Sequence, residues 1–160
     1  MNIFNRFTVL LLFALTFAIF SSCSDEKTTE PTVEEYFRAK ISGELSLDLN
    51  ASLIKYYNNE GVISLVAYGG TTQNSDFITL QLDNISTGAK TYVLGGDNNI
   101  ANAMFTHFAV SVPFIYNDTE GEIKINVNNS SRISGTFHFK AVNNKKVVDI
   151  ANGEFSVNKK

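Results

Sequence analysis

The side chains that could do chemistry are few, and the most distinctive of them is the single cysteine, Cys23. A thiolate can act as a nucleophile or as a metal ligand. Cys23 directly follows Ser21 and Ser22 at the end of an apolar run over residues 7–20, and Arg6 places a positive charge before that run. Because no other thiol exists, disulfides, thiolate metal sites and cysteine-based catalysis elsewhere in the chain are excluded by count.

Residues 1–22 have the layout of a secretory signal peptide, with a positive start, an apolar run and small residues before the cleavage point. As a helix, residues 7–20 would span about 21 Å, short of the ~30 Å hydrocarbon core of a bilayer. A permanent transmembrane helix is therefore the weaker interpretation. An ordinary signal peptide cut near Ser22 is the other alternative, and it would leave a free thiol at Cys23.

The sequence Phe20-Ser21-Ser22-Cys23 resembles a bacterial lipobox, although most lipoboxes carry Leu where this chain has Phe20. The resemblance implies that the Cys23 thiol receives a diacylglycerol, that the preceding peptide is removed, and that the new amino group is acylated. Two or three acyl chains, at about 0.8 kcal/mol per buried methylene, hold a protein on a membrane. We therefore expect an outer-membrane lipoprotein of the cell envelope that is anchored and does not span the bilayer.

Residues 23–34 are expected to be the lipidated cysteine and a flexible tether, since the segment is polar, contains Pro31 and shows no apolar period. Fully extended, the tether could reach about 35 Å. Ser24-Asp25-Glu26 also resembles the acidic surface-export signal of Bacteroidota lipoproteins, which implies display on the cell surface. A solvated tether would be acidic in any case, and so the periplasmic and surface faces both stay open.

The net charge of the chain indicates which classes of partner it can bind. The chain has 13 basic and 16 acidic residues, a net charge of −3, and loss of Arg6 with the signal peptide would make it more acidic. Nucleic acids and anionic headgroups are bound by clustered Lys and Arg. We expect no nucleic-acid partner, and membrane contact only through the lipid anchor at Cys23.

The remaining candidates for chemistry are two histidines and the polar loops. His138 is predicted to be a surface histidine, because the neighbouring Lys140 would disfavour a metal ion, and His107 is predicted to be buried or at a sheet edge. Residues 117–122 and 97–99 carry oxygen ligands but lack the acidic spacing of an EF-hand loop, and so we read them as turns.

Phosphate-loop, serine-elbow and His-Glu-x-x-His motifs are absent from the sequence. We predict no catalytic residue, no metal, no cofactor and no enzyme activity. A hydrolase working through paired carboxylates is the alternative, and it would need two of them within about 5–10 Å in one cleft.

Apolar residues recur with period two from Tyr36 onward, as in half-buried β-strands. The predicted strands cover residues 36–42, 45–53, 62–68, 77–83, 90–94, 104–116, 122–127, 132–142 and 148–157. Pro113 is expected to lie at a sheet edge or to break its strand. The inward parity switches around Gly153, which favours a one-residue bulge over a hairpin turn at Asn152-Gly153. We predict one all-β domain over residues 35–160, an antiparallel meander forming a β-barrel or a β-sandwich after the signal-peptide helix.

Two C-terminal segments, residues 133–139 (ISGTFHF) and 150–155 (IANGEF), carry a further resemblance. Together with residues 37–43 and 88–94, they resemble a family of small Bacteroidota lipoprotein domains of unknown function, whose last strands read Gly-Thr-Phe-x-Phe and Gly-x-Phe. These motifs are glycines and core aromatics. The resemblance implies a fold and a location, and it brings no activity with it.

The functional hypothesis is a non-catalytic binding or assembly module whose loops contact an unknown protein or glycan partner. Loop residues such as Asp97, Asn98 and Asn117 are the candidates for contact. A β-barrel carrier of a small apolar or glycan ligand is the alternative. Five tyrosines could stack on sugars, and cross-strand packing explains them equally well: Tyr56, Tyr57, Tyr68, Tyr92 and Tyr116.

Replacing the cysteine tests the anchor. In a Cys23→Ser variant we expect lipid transfer to fail, because serine has no thiol to alkylate, and the protein to be unprocessed or soluble. Detergent-phase partitioning and intact-mass spectrometry measure both properties. A variant that still enters the detergent phase at mature size would disprove the lipobox.

Overall fold

The structure is a computed structural model that describes residues 34–72, 75–85, 87–95, 100–109 and 112–159. The signal peptide, Cys23, the tether up to residue 33, Asp97 and Asn98 lie outside the described residues. From Glu34 onward the chain forms one compact unit. Within the described part of the chain, there is no helix that could span a bilayer.

The described residues form ten strands. They are β1 (Tyr36–Gly43), β2 (Leu47–Asn50), β3 (Leu53–Asn59), β4 (Val62–Tyr68), β5 (Phe77–Leu82), β6 (Lys90–Leu94), β7 (Ala101–Ala109), β8 (Val112–Asn128), β9 (Arg132–Asn143) and β10 (Lys146–Asn158). All of them belong to a single antiparallel sheet in the order β2-β1-β10-β9-β8-β7-β5-β4-β3, with β6 paired to β8. The all-β antiparallel prediction is confirmed. Because one sheet curls into a half-barrel, the barrel-like architecture describes the fold better than the sandwich.

The two end strands of the sheet, β2 and β3, are consecutive in the chain. Ala51 N–H donates to the Phe37 carbonyl of β1, and Ser52 N–H donates to the Tyr68 carbonyl of β4. The sequence predicts one strand over residues 45–53. The structure divides it at residues 51–52, because the chain changes from one pairing partner to the other at that point.

The core lies on the inner face, where alternate side chains of all the strands meet. Phe37, Phe137 and Phe155 form an aromatic cluster with ring centroids 5.0 to 6.3 Å apart. The predicted bulge is confirmed: β10 runs through Gly153 without turning, and its register on β9 shifts between Ile150 and Gly153. A Cβ at Gly153 would lie 2.6 Å from the ring of Phe137, so the bulge needs glycine to let that ring pack.

Strand β8 corrects the prediction of a turn at residues 117–121. It continues for 17 residues through that polar segment, because β9 pairs along it on both sides of a bulge between Asp118 and Glu120. Gly121 adopts a φ of +144°, and a Cβ there would lie 2.2 Å from the His138 carbonyl oxygen. The polar composition that suggests a turn therefore belongs to a bulged strand. Pro113 lies near the start of β8, where β9 does not pair with it.

Truncating the core aromatics tests this packing. Phe137→Ala and Phe139→Ala should each lower the free energy of unfolding by about 3–5 kcal/mol, because both rings are buried. Urea unfolding followed by circular dichroism measures the loss. The exposed Val147 of β10 is the control position, and Val147→Ala should change stability by less than about 0.5 kcal/mol. Losses below ~1 kcal/mol for both phenylalanines would contradict the assigned core.

Candidate functional site

Strand β8 changes partner along one of its edges, and the sheet forks there. Its first part pairs with β7, where the last pair is Met104 with Asn117. Its second part pairs with β6, beginning with Gly121 opposite Leu94. Between these two pairings β6 and β7 separate, and a cleft of about 470 Å³ opens. We call it the fork cleft.

Nine of the described residues line the fork cleft, and five of these contribute side chains from the outer face of β5, β7 and β8. The lining consists of Thr79, Gln81, Gly95, Ala101, Asn102, Ala103, Met104, Asn117 and Asp118. Thr79 and Gln81 point outward because the alternate residues of β5 are buried in the core. The strand register sets Gln81 opposite Asn102 and Met104 opposite Asn117, so three amides cluster on one surface.

Asp118 holds the fork together. Its Oδ2 accepts a hydrogen bond of 3.0 Å from the Gly95 N–H at the end of β6, and its Oδ1 accepts one of 2.9 Å from the Ala103 N–H of β7. Ala103 is the next residue of β7 beyond its last pair with β8, and its N–H would otherwise lack a ladder partner there. The carboxylate therefore supplies the hydrogen-bond acceptor that a neighbouring strand would otherwise provide.

The charged pair beside the fork is Glu120 with Lys140, whose Nζ lies 2.6 Å from a carboxylate oxygen of Glu120. The hydrogen bond from Lys140, reinforced by its charge, holds the pKa of Glu120 below its ordinary value. The same contact raises the pKa of Lys140. Glu120 is thus kept ionised, and both side chains are exposed to solvent.

The side chains of the cleft have unused hydrogen-bonding groups. Gln81, Asn102, Asn117 and Thr79 make no side-chain hydrogen bond to any other described residue. Each amide offers a carbonyl acceptor and two N–H donors, and the threonine hydroxyl can donate and accept. The arrangement can bind a polar ligand without first breaking internal bonds.

An aromatic strip lies on the same outer face, formed by Tyr68, Phe77 and Phe108. Their ring centroids are 5.1 Å apart for Tyr68 and Phe77 and 6.2 Å apart for Phe77 and Phe108. The Nζ of Lys55 lies 5.5 Å from the centre of the Tyr68 ring. All three rings are only partly buried, so part of each faces solvent.

The tyrosines considered for sugar stacking divide between the two faces. Tyr92 and Tyr116 are buried in the core and cannot present a ring to a surface ligand. Burial also raises the pKa of Tyr92 and of Tyr56. Tyr57 is exposed on β3, and Tyr68 belongs to the aromatic strip. Tyr68 lies on β4 opposite Phe77 of β5, the strand that also carries the cleft residues Thr79 and Gln81.

His107 forms a pair that the sequence does not predict. Its Nδ1 lies 3.1 Å from both carboxylate oxygens of Asp76, and one of these oxygens also accepts a 2.8 Å hydrogen bond from the Phe108 N–H. The prediction is a histidine that is buried or at a sheet edge; in the structure the imidazole is partly buried near the end of β7, where the strand pairs with β8. Among the described hydroxyls, none is hydrogen-bonded to its other ring nitrogen.

His138 is exposed on β9, as predicted, where it lies opposite Glu122. Within the described ranges, no three His, Cys, Asp or Glu side chains come together as a metal site would require. Of the loop residues expected to make contacts, Asn117 lies in the fork cleft, and Asp97 and Asn98 are outside the described residues. The sequence does not single out Gln81 or Asn102 as site residues, because their grouping depends on a register between two strands separated by a loop.

A family model described as a domain of unknown function (DUF6252) matches residues 50–157. The matched range includes every residue of the fork cleft. No curated protein and no solved structure matches the chain. The resemblance to a family of unknown-function domains is confirmed at that level.

Removing the carboxylate tests its role in the fork. In an Asp118→Ala variant, the Ala103 amide proton should exchange with solvent at least tenfold faster, because a lost hydrogen bond of about 1.4 kcal/mol corresponds to that factor. Hydrogen exchange measured by NMR follows this proton. The amide of Phe105, which lies within the paired part of β7, is the internal reference. Asp48→Ala, an exposed carboxylate on β2, is the matched control, and unchanged exchange at Ala103 in Asp118→Ala would contradict the role.

Proposed function

The chain belongs to the DUF6252 family of domains of unknown function, and from that premise we propose that it is a non-catalytic binding module of the cell envelope. The fork cleft is its binding site. The single observation that carries the proposal is the group of amides at Gln81, Asn102 and Asn117, which have no internal partners among the described residues and line one cleft.

The carboxylates near the cleft favour binding over hydrolysis. A glycosidase needs one carboxylic acid whose pKa is raised so that it can donate a proton. The pKa of Glu120 is lowered by Lys140, and Asp118 uses both oxygens to accept backbone hydrogen bonds. These assignments leave neither carboxylate free as the proton donor, which supports a module without chemistry of its own.

The envelope location rests on the sequence. The signal-peptide layout of residues 1–22, the lipobox-like Ser21-Ser22-Cys23 and the acidic tether support a lipoprotein anchored in the outer membrane through Cys23. The tether would hold the domain clear of the headgroups, on the cell surface if the acidic segment is an export signal. The partner is a protein or a glycan, and the acidic net charge argues against nucleic acid.

A carrier with its ligand inside the half-barrel is the second candidate. The observation in its favour is Tyr92, whose buried hydroxyl has no hydrogen-bond partner among the described residues. Buried hydroxyls are normally satisfied, and a small polar ligand could supply the missing acceptor. The inner face around it is occupied by large side chains such as Phe105 and Phe139, which favours the outer cleft.

A capture experiment with the full chain tests the binding module. Immobilised Gln81→Ala and Asn117→Ala variants should retain several-fold less envelope material than the natural chain, because each lacks an amide of the cleft. Quantitative mass spectrometry and glycan analysis measure the captured material. Asn126→Ala, an exposed amide farther along β8, is the matched control and should capture normally.

All three variants should keep the melting temperature within about 2 °C, since Asn117 and Asn126 are exposed, Gln81 is only partly buried, and such positions contribute little to stability. Equal capture by every variant would remove the cleft from the function. Turnover of a polysaccharide, ester or peptide that is abolished by one Asp or Glu substitution would replace the binding module with a hydrolase.

A further inference from the structure

We propose that the fork cleft binds a neutral oligosaccharide, a ligand class that rests on the proposed binding function and narrows it. The first argument is the spacing of the amides. Gln81 and Asn102 are directly opposite across the β5–β7 pair, and directly opposed Cβ atoms lie about 5 Å apart. Asn102 and Asn117 are offset by two residues across β7 and β8, a diagonal of about 7–8 Å.

Such a set of amides matches sugar hydroxyls in chemistry. Every hydroxyl of a sugar ring can donate one hydrogen bond and accept others, and every side-chain amide offers a donor and an acceptor side by side. The hydroxyl of Thr79 adds another group of the same kind, and Met104 offers an apolar contact between the amides. The volume of about 470 Å³ lies within the range of small-molecule sites.

The charge of the described lining disfavours anionic ligands. The described lining contains no Lys, Arg or His, so an anion would find no opposite charge in the cleft. Among the described lining residues Asp118 is the single acidic group, and both of its oxygens already accept backbone N–H groups. The described surface that a ligand meets is therefore dominated by neutral amides.

An extended peptide is disfavoured by the same hydrogen bonds. A peptide normally binds a sheet by adding a strand to an open edge, where its backbone pairs with free N–H and C=O groups. At the fork the Ala103 N–H, which such a strand would use, is occupied by Asp118. The cleft thus offers side-chain amides to a ligand, while the backbone N–H of Ala103 is not available to pair with an added strand.

The aromatic strip extends the site and indicates the length of the ligand. Phe77 and Gln81 are four residues apart on β5, which corresponds to about 13 Å along the strand. The partly exposed rings of Tyr68, Phe77 and Phe108 can stack against the C–H faces of further sugar rings. An oligosaccharide that reaches both the amides and the rings should bind more tightly than a disaccharide.

Calorimetry with defined sugars tests the proposal. The full chain is held in a detergent without a sugar headgroup and titrated with neutral hexasaccharides of α- and β-linked glucose, xylose, mannose and N-acetylglucosamine. Hexagalacturonate and an uncharged hexapeptide serve as the anionic and peptide probes. We expect at least one neutral hexasaccharide to bind, and its dissociation constant to rise about 3- to 10-fold in Gln81→Ala or Asn102→Ala, the effect of one lost hydrogen bond.

Two further variants make the readout specific. Phe77→Ala should weaken the hexasaccharide and leave the corresponding disaccharide nearly unchanged, because only the longer ligand reaches the strip. Asn126→Ala should bind as the natural chain does. Circular dichroism melting of every variant identifies any loss of affinity that comes from unfolding.

The outcomes separate this proposal from the binding function. One outcome is that the peptide or the anion binds, that no sugar binds, and that Gln81→Ala weakens the binding. In that case the assignment of an oligosaccharide ligand is wrong and the cleft remains a binding site. If no panel sugar binds at millimolar concentration, or if cleft variants bind sugar normally, the oligosaccharide assignment is overturned. If capture from envelope extracts is also insensitive to the cleft variants, the binding function fails with it.

Discussion

Satisfaction of the backbone hydrogen bonds along β8 is the constraint on which the rest of the structure depends. This strand serves three neighbours, since β9 pairs with one edge while β7 and β6 share the other. Two strands cannot meet end to end on one edge without leaving N–H groups unpaired. The carboxylate of Asp118 removes that difficulty by accepting from Gly95 and Ala103, and the separation of β6 and β7 that it bridges is the cleft.

The need to pair backbone N–H and C=O groups also explains the other irregularities of the sheet. The chain divides at Ala51 and Ser52 because their N–H groups bond to β1 and β4 respectively. At Gly153 the bulge changes which residues face inward, so that Ile150 and Phe155 both enter the core. These breaks in regularity therefore let the sheet change partner or register while the N–H groups of Ala51 and Ser52 stay paired.

The local pattern predicted most of the strands, but it missed β3 and joined β7 to the start of β8 as one strand. The bounds of β4 and β6 follow directly from the sequence, since alternation is a property of a few adjacent residues. The continuation of β8 through Asn117 and Gly121 does not, because it is imposed by β9, a strand that comes later in the chain. The residues of the candidate site likewise differ in whether the local sequence could identify them. Asn117 could be named as a polar loop residue, whereas its grouping with Gln81 and Asn102 requires the β5–β7–β8 register.

Asp118 also determines what kind of chemistry the cleft can have. A free carboxylate in a cleft would attract cations or protons and would suggest a catalytic acid. Once both oxygens accept backbone hydrogen bonds, the charge is committed to the fold, and the surface left to a ligand consists of amides, a hydroxyl and a thioether. Selectivity must then come from the positions of these neutral groups. Because the register of β5, β7 and β8 sets those positions, the proposed oligosaccharide would be selected by the arrangement of its hydroxyls.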